Sequence, residues 1–103
     1  MSNIITFYSY KGGGGRTMAL ANIAAALSQW GHRVLVLDFD LEAPGVEFFF
    51  RDYFSDFESV VKHSGVINLL NGDVHHDDWQ SLILSVNFET GLFEKPRALH
   101  IIT

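Results

Sequence analysis

The stretch Tyr8-Ser9-Tyr10-Lys11-Gly12-Gly13-Gly14-Gly15-Arg16-Thr17 decides how the rest of the chain is read. Its four glycines stand between an apolar run, Ile4-Ile5-Thr6-Phe7, and an alanine-rich run that begins after Thr17. Glycine lacks a Cβ, so the backbone can take positive φ and come close to a ligand. A turn of this kind entering a helix aims several backbone N–H groups at one point, and the helix dipole adds positive potential there. Lys11 and Arg16 flank the glycines with two cations, and Thr17 sets a hydroxyl on the first turn. The pattern predicts a phosphate-binding loop. A flexible linker would run on into polar, structureless sequence, whereas here a strand precedes the glycines and a helix follows them.

Magnitudes agree. A hydrogen bond to a charged group contributes roughly 1.5–3 kcal/mol, so four to six converging amides offer on the order of 6–18 kcal/mol before binding costs. Micromolar affinity requires about 8 kcal/mol.

Working outward, Asn3 to Tyr8 is expected as a buried first strand. Thr17 to about Trp30 is dense in helix formers, with Leu20, Ile23, Ala24 and Leu27 at the spacing of one face and Gly31 as its stop. Val34-Leu35-Val36-Leu37 predicts a second strand, ending at Asp38-Phe39-Asp40. Strand, helix and strand make a right-handed βαβ unit with parallel strands. Ligands of such sheets bind beyond the strands' carboxyl ends, where the glycines and Asp38/Asp40 would meet. Further on, Pro44-Gly45 marks a turn. Helices are expected over Asp52–His63, Gly65–Leu70 (closed by Asn71-Gly72) and Asp78–Val86. Asn87–Arg97 is expected as loop, and Leu99–Thr103 as a strand. The aromatics from Phe48 to Phe57 are expected to fill the core or cover the sheet, and any left exposed would mark a partner surface.

The 103 residues fit a single small domain. A hydrophobic content of 48%, with 14% aromatic, permits a packed core. The net charge of -5 speaks against a broad basic nucleic-acid surface, and the chain carries no direct nucleic-acid signal. There is no cysteine, hence no disulfide or thiolate metal site, and no apolar run of membrane-span length. A soluble, cytoplasmic protein without a transmembrane segment is the expectation.

Lys11-Gly12-Gly13-Gly14-Gly15-Arg16-Thr17 resembles the deviant Walker A motif of the MinD/ParA family of P-loop ATPases, K-G-G-x-G-K-S/T. Val34 to Asp40 resembles that family's second motif, in matching order and spacing. The resemblance is close from Ile4 to Gly45 and looser afterwards. It implies an α/β fold, a P-loop NTPase-like parallel sheet with flanking helices. Residues 1–103 would form the N-terminal part of one P-loop nucleotide-binding domain, with the second switch region and the base-contacting part beyond Thr103. It further implies ATP and Mg²⁺ as cofactors, ATP hydrolysis, an ATP-dependent homodimer as the switch, and a protein partner that the sequence does not name.

By the same resemblance, Gly12, Gly13, Gly14, Gly15, Arg16 and Thr17 would surround the phosphates, and Thr17 would ligate Mg²⁺. Lys11 would bind phosphate and reach the partner's nucleotide across the dimer. Asp38 would hold Mg²⁺ through its water shell, and Asp40 would orient the attacking water. Arg16 would share in catalysis, standing where the family has lysine. Arginine keeps the charge but is a planar fork in place of a compact ammonium, which motivates a second reading as a non-hydrolysing nucleotide sensor. A third arises because Asp38 to Pro44 also resembles bacterial tyrosine-kinase-like domains, whose phosphate loop differs from this one. On residue chemistry alone, Asp38 and Asp40 could simply cap the following turn. His75-His76-Asp77-Asp78 contains ligand-type residues, but a helix start capped by Asp77 or Asp78 is the simpler reading.

Overall fold

The helix predicted after the glycines forms as α1, Arg16–Gln29. In a computed structural model that describes residues 2–8, 15–40, 45–88 and 97–103, it enters through Gly15 and ends at a left-handed Gly31, φ 94°. There the Gly31 amide donates to the Ser28 carbonyl and the His32 amide to Leu27, each at 3.0 Å. This pair of bonds satisfies the carbonyls that a helix end otherwise leaves open, and it needs the positive φ that glycine tolerates. The buried stripe is Ala21, Ala24 and Ser28, with Ile23 44% exposed, so the expected Leu20/Ile23/Ala24/Leu27 face is rotated. Small side chains let the helix lie close to its neighbours. Ser28 exchanges two hydrogen bonds with Arg97: its carbonyl accepts the Arg97 amide at 3.1 Å and its hydroxyl donates to the Arg97 carbonyl.

Three strands follow in the chain: β1, Val34–Leu37; β2, Leu84–Val86; and β3, Leu99–Ile102. Their order is β1-β3-β2. β1 runs parallel to β3, Val34 opposite Leu99 through Leu37 opposite Ile102, and β2 runs antiparallel to β3. The sheet is therefore mixed, not the parallel sheet expected. Residues 2–8 form no strand: Ile4 is 95% and Tyr8 81% exposed. β3 takes the parallel place beside β1 that was expected of the first strand, and the outer edges of β1 and β2 carry no strand among the described residues. The strand–helix–strand unit expected over residues 3–40 is thus replaced by a parallel β1/β3 pair joined across residues 38–98.

The predicted helix over Asp52–His63 is two segments. A 3₁₀ helix spans Val46–Tyr53, the chain turns extended at Phe54, and α2 covers Phe57–Val61. Asp56 starts α2 by accepting the Ser59 amide at 3.3 Å and the Ser59 hydroxyl at 2.6 Å, bonds that hold its carboxyl below the ordinary carboxylate range. α3, Val66–Leu70, matches expectation and closes at Asn71 and a left-handed Gly72. Over Asp78–Val86, where one helix was predicted, a 3₁₀ helix spans His76–Leu82 and gives way to β2. Leu84 and Val86 are buried while Ser85 is exposed, the period of two that suits a strand.

The main core gathers Ala21, Ala24, Val36, Val46, Phe50, Val86, Leu99 and Ile101. A second cluster, Val66, Leu82 and Ile102, seats α3 beneath the end of β3. The aromatics divide as anticipated in part. Phe50 is buried and Phe54 and Phe57 pack on the core, whereas Phe48, Phe49 and Tyr53 are about half exposed.

Gly65 holds α3 against β3. The Val66 amide donates to the Thr103 carbonyl at 2.9 Å, and a Cβ on Gly65 would lie 1.5 Å from that oxygen. Gly65→Ala should therefore cost about 1–3 kcal/mol in chemical denaturation, the usual range for overpacking. Wild-type stability in that variant would contradict this docking.

Candidate functional site at the carboxyl edge of the sheet

Parallel pairing places the C-terminal ends of β1 and β3 together, with Asp38-Phe39-Asp40 after one and Thr103 after the other. The Asp38 amide extends the ladder by one bond, donating to the Ile102 carbonyl at 2.9 Å. Asp38 is 8% exposed, and its carboxylate accepts three backbone amides. Oδ1 takes Asp40 at 3.1 Å, and Oδ2 takes Gly45 at 3.0 Å and Val46 at 3.2 Å. Gly45 and Val46 open the first 3₁₀ helix, so Asp38 also satisfies orphan donors at that helix's positive end. This includes the capping role that its residue type allowed. Among the described residues, Oδ2 has two donors and Oδ1 has one.

Asp40 faces the glycine loop's exit. The Arg16 guanidinium donates to its Oδ2 at 3.2 Å, with both side chains about 30% exposed. That contact fixes the N-terminus of α1 at the same edge as the two aspartates. The other end of α1 meets Arg97, two residues before β3 begins, so the helix runs back along the sheet from one edge to the other.

Gly15 has φ 74° and ψ 11°, a left-handed residue immediately ahead of a right-handed helical turn. Successive N–H groups in such a turn point inward and form an anion-binding concavity. A Cβ at Gly15 would meet nothing within 4 Å, so glycine is required for the dihedral angle and not for space. Thr17 lies half-buried on the first turn, which carries no acidic residue. Of the residues expected to bind nucleotide, Lys11, Gly12, Gly13 and Gly14 lie outside the described residues, while Gly15, Arg16, Thr17, Asp38 and Asp40 fall at one edge.

Glu47 belongs to no motif legible in the sequence. It is 7% exposed and accepts the Thr103 hydroxyl at 2.7 Å, tying the first 3₁₀ helix to the end of β3. Its place just after the Pro44-Gly45 turn, ahead of three phenylalanines, was the available clue. Among the described residues, no helix is long and apolar enough to cross a membrane.

The geometry predicts unequal costs. Asp38→Ala should remove about 1–3 kcal/mol or more of stability, because buried amides lose their acceptor. Asp40→Ala should cost under about 1 kcal/mol, the range of partly exposed ion pairs. Equal losses in urea denaturation would contradict the division of labour.

A family model described as an AAA domain matches residues 2–71, more than half of the chain. No curated protein and no solved structure matches.

Proposed function

We propose that this chain, which belongs to the AAA domain family of MinD/ParA-type P-loop ATPase domains, binds ATP with Mg²⁺ at the carboxyl edge of its sheet and hydrolyses it. The observation that carries the reading is the left-handed Gly15 opening α1 directly beside the Arg16–Asp40 contact. β3 hydrogen-bonds to β1, which supports treating residues 1–103 as part of one nucleotide-binding domain, in line with the family match over 2–71.

The amides of Gly12, Gly13, Gly14, Gly15, Arg16 and Thr17 receive the phosphates, with Lys11 and Arg16 supplying charge. The Thr17 hydroxyl and the carboxylate of Asp38 are both oxygen donors, the hard ligands that Mg²⁺ takes. Asp38, already engaged by three backbone amides, suits holding the ion through water and not directly. Mg²⁺, when bound, neutralises charge on the transferring phosphoryl group. Asp40 orients the attacking water once Arg16 turns from it toward phosphate. In keeping with the family, Lys11 acts across an ATP-dependent homodimer whose formation signals to a protein partner. A cytoplasmic setting goes with this use of ATP.

One observation favours a second reading. The arginine at position 16 holds Asp40, and a carboxylate neutralised in this way is a poorer water-orienting group. If the pair persists with nucleotide bound, the chain is a sensor that binds ATP without turning it over.

Titrating MgATP into wild type and Thr17→Ala, with phosphate release followed in wild type and Asp40→Ala, separates the readings. Hydrolysis predicts turnover in wild type reduced by about 10²-fold or more in Asp40→Ala, the scale of a lost general acid–base group. The sensor reading predicts binding with the same negligible turnover in both. Absence of binding at millimolar ATP would overturn both.

A further inference from the structure

We propose that His75, His76 and Asp77 form a binding site for a divalent transition ion of the zinc class, separate from the nucleotide edge. The three residues open the second 3₁₀ helix, His75 as its cap. Each offers one ligand atom, and these atoms lie within 4.8 Å of one another. The His75 Nδ1 is 3.5 Å from the Asp77 Oδ2, and the His76 Nε2 is 3.2 Å from the Asp77 Oδ1. The two imidazoles lie nearly face to face, with centroids 4.3 Å apart and planes 31° from parallel.

A tetrahedral ion with bonds of about 2.0–2.2 Å needs ligand atoms roughly 3.3–3.6 Å apart. Because the imidazoles are stacked, an ion binds only after the rings turn about their side-chain bonds until their in-plane lone pairs converge, a motion that their exposure permits. Two imidazoles with one carboxylate favour Zn²⁺, Co²⁺ or Ni²⁺ over Mg²⁺ or Ca²⁺.

The turn prepares one of the ligands. The His75 Nδ1 accepts the Asp77 amide at 3.2 Å, so that nitrogen is unprotonated, the form in which imidazole binds a metal. An ion at that nitrogen displaces an exposed first-turn amide, which water can then satisfy. The cap is thus His75, in place of the expected Asp77 or Asp78, and its ring leaves the cap when it takes an ion. Beside the cluster is an open depression of about 490 Å³, lined by Asp73, Asp78 and Ser81 along with His75 and Asp77. It leaves the remaining coordination positions open to water or to a partner's carboxylate.

The test uses the metal-stripped chain, titrated with ZnCl₂ by calorimetry and with CoCl₂ by visible absorption. One equivalent should bind with a Kd on the order of micromolar. His76→Ala and Asp77→Asn should each weaken it about tenfold or more with circular dichroism unchanged, while His32→Ala, an exposed imidazole elsewhere, matches wild type. His76 caps nothing and Asp77→Asn keeps the capping amide, so neither variant removes the turn. No saturable binding below about 1 mM, or undiminished affinity in both variants, would overturn the proposal.

Discussion

The buried carboxylate of Asp38 is the constraint on which this edge of the molecule depends. With three amides on its oxygens and its own amide on Ile102, it joins the end of β1 to the first 3₁₀ helix and to β3. Nearly buried charge is costly unless fully hydrogen-bonded, and here the bonds come from backbone groups that would otherwise lack partners. Satisfying the charge and closing the turn are one event. As a consequence Asp40 is held just beyond the end of β1, partly exposed and within reach of Arg16. The buried Glu47, bonded to Thr103, repeats the device one turn further along.

Arg16 gives the edge its electrostatic balance. A lysine there would present a compact ammonium, whereas the longer guanidinium can span from the first turn of α1 to Asp40. The pair is only partly buried, so its net contribution to folding is small. Its importance lies in what each partner can exchange it for: phosphate oxygens for Arg16, and water for Asp40. Exchange of that kind couples the entry of an anion to the release of a carboxylate without a large rearrangement of the fold.

Much of this was legible in the residues. Gly31 and Gly72 mark helix ends because a left-handed closing residue favours glycine, and both helices end within a residue or two of the expected positions. Val34–Leu37 and Leu99–Ile102 are short apolar runs long enough for strands and too short for helices. The candidate aspartates follow from the strand that precedes them. What was not legible depended on tertiary competition. Ile4 to Phe7 has strand character, but the parallel place beside Val34–Leu37 is held by Leu99–Ile102, whose other edge pairs with Leu84–Val86, three residues that look like the tail of a helix. Helical spacing of Tyr53, Phe54 and Phe57 concealed a break that Asp56 and Ser59 create by local hydrogen bonds. The role of Ser28 as the meeting point of α1 and Arg97 has no sequence signature, because it joins residues 69 apart.

The central claim is that backbone amides at the start of α1, set by a left-handed Gly15, form the anion site. Amide NMR of the chain titrated with Mg²⁺ and a non-hydrolysable ATP analogue addresses it most directly. The account predicts saturable shifts concentrated at Gly15, Arg16 and Thr17, with the Arg16 side-chain resonances moving alongside them and Gly31 and His32 at the far end of α1 still. Shifts confined to other parts of the chain, or none at millimolar analogue, would contradict it.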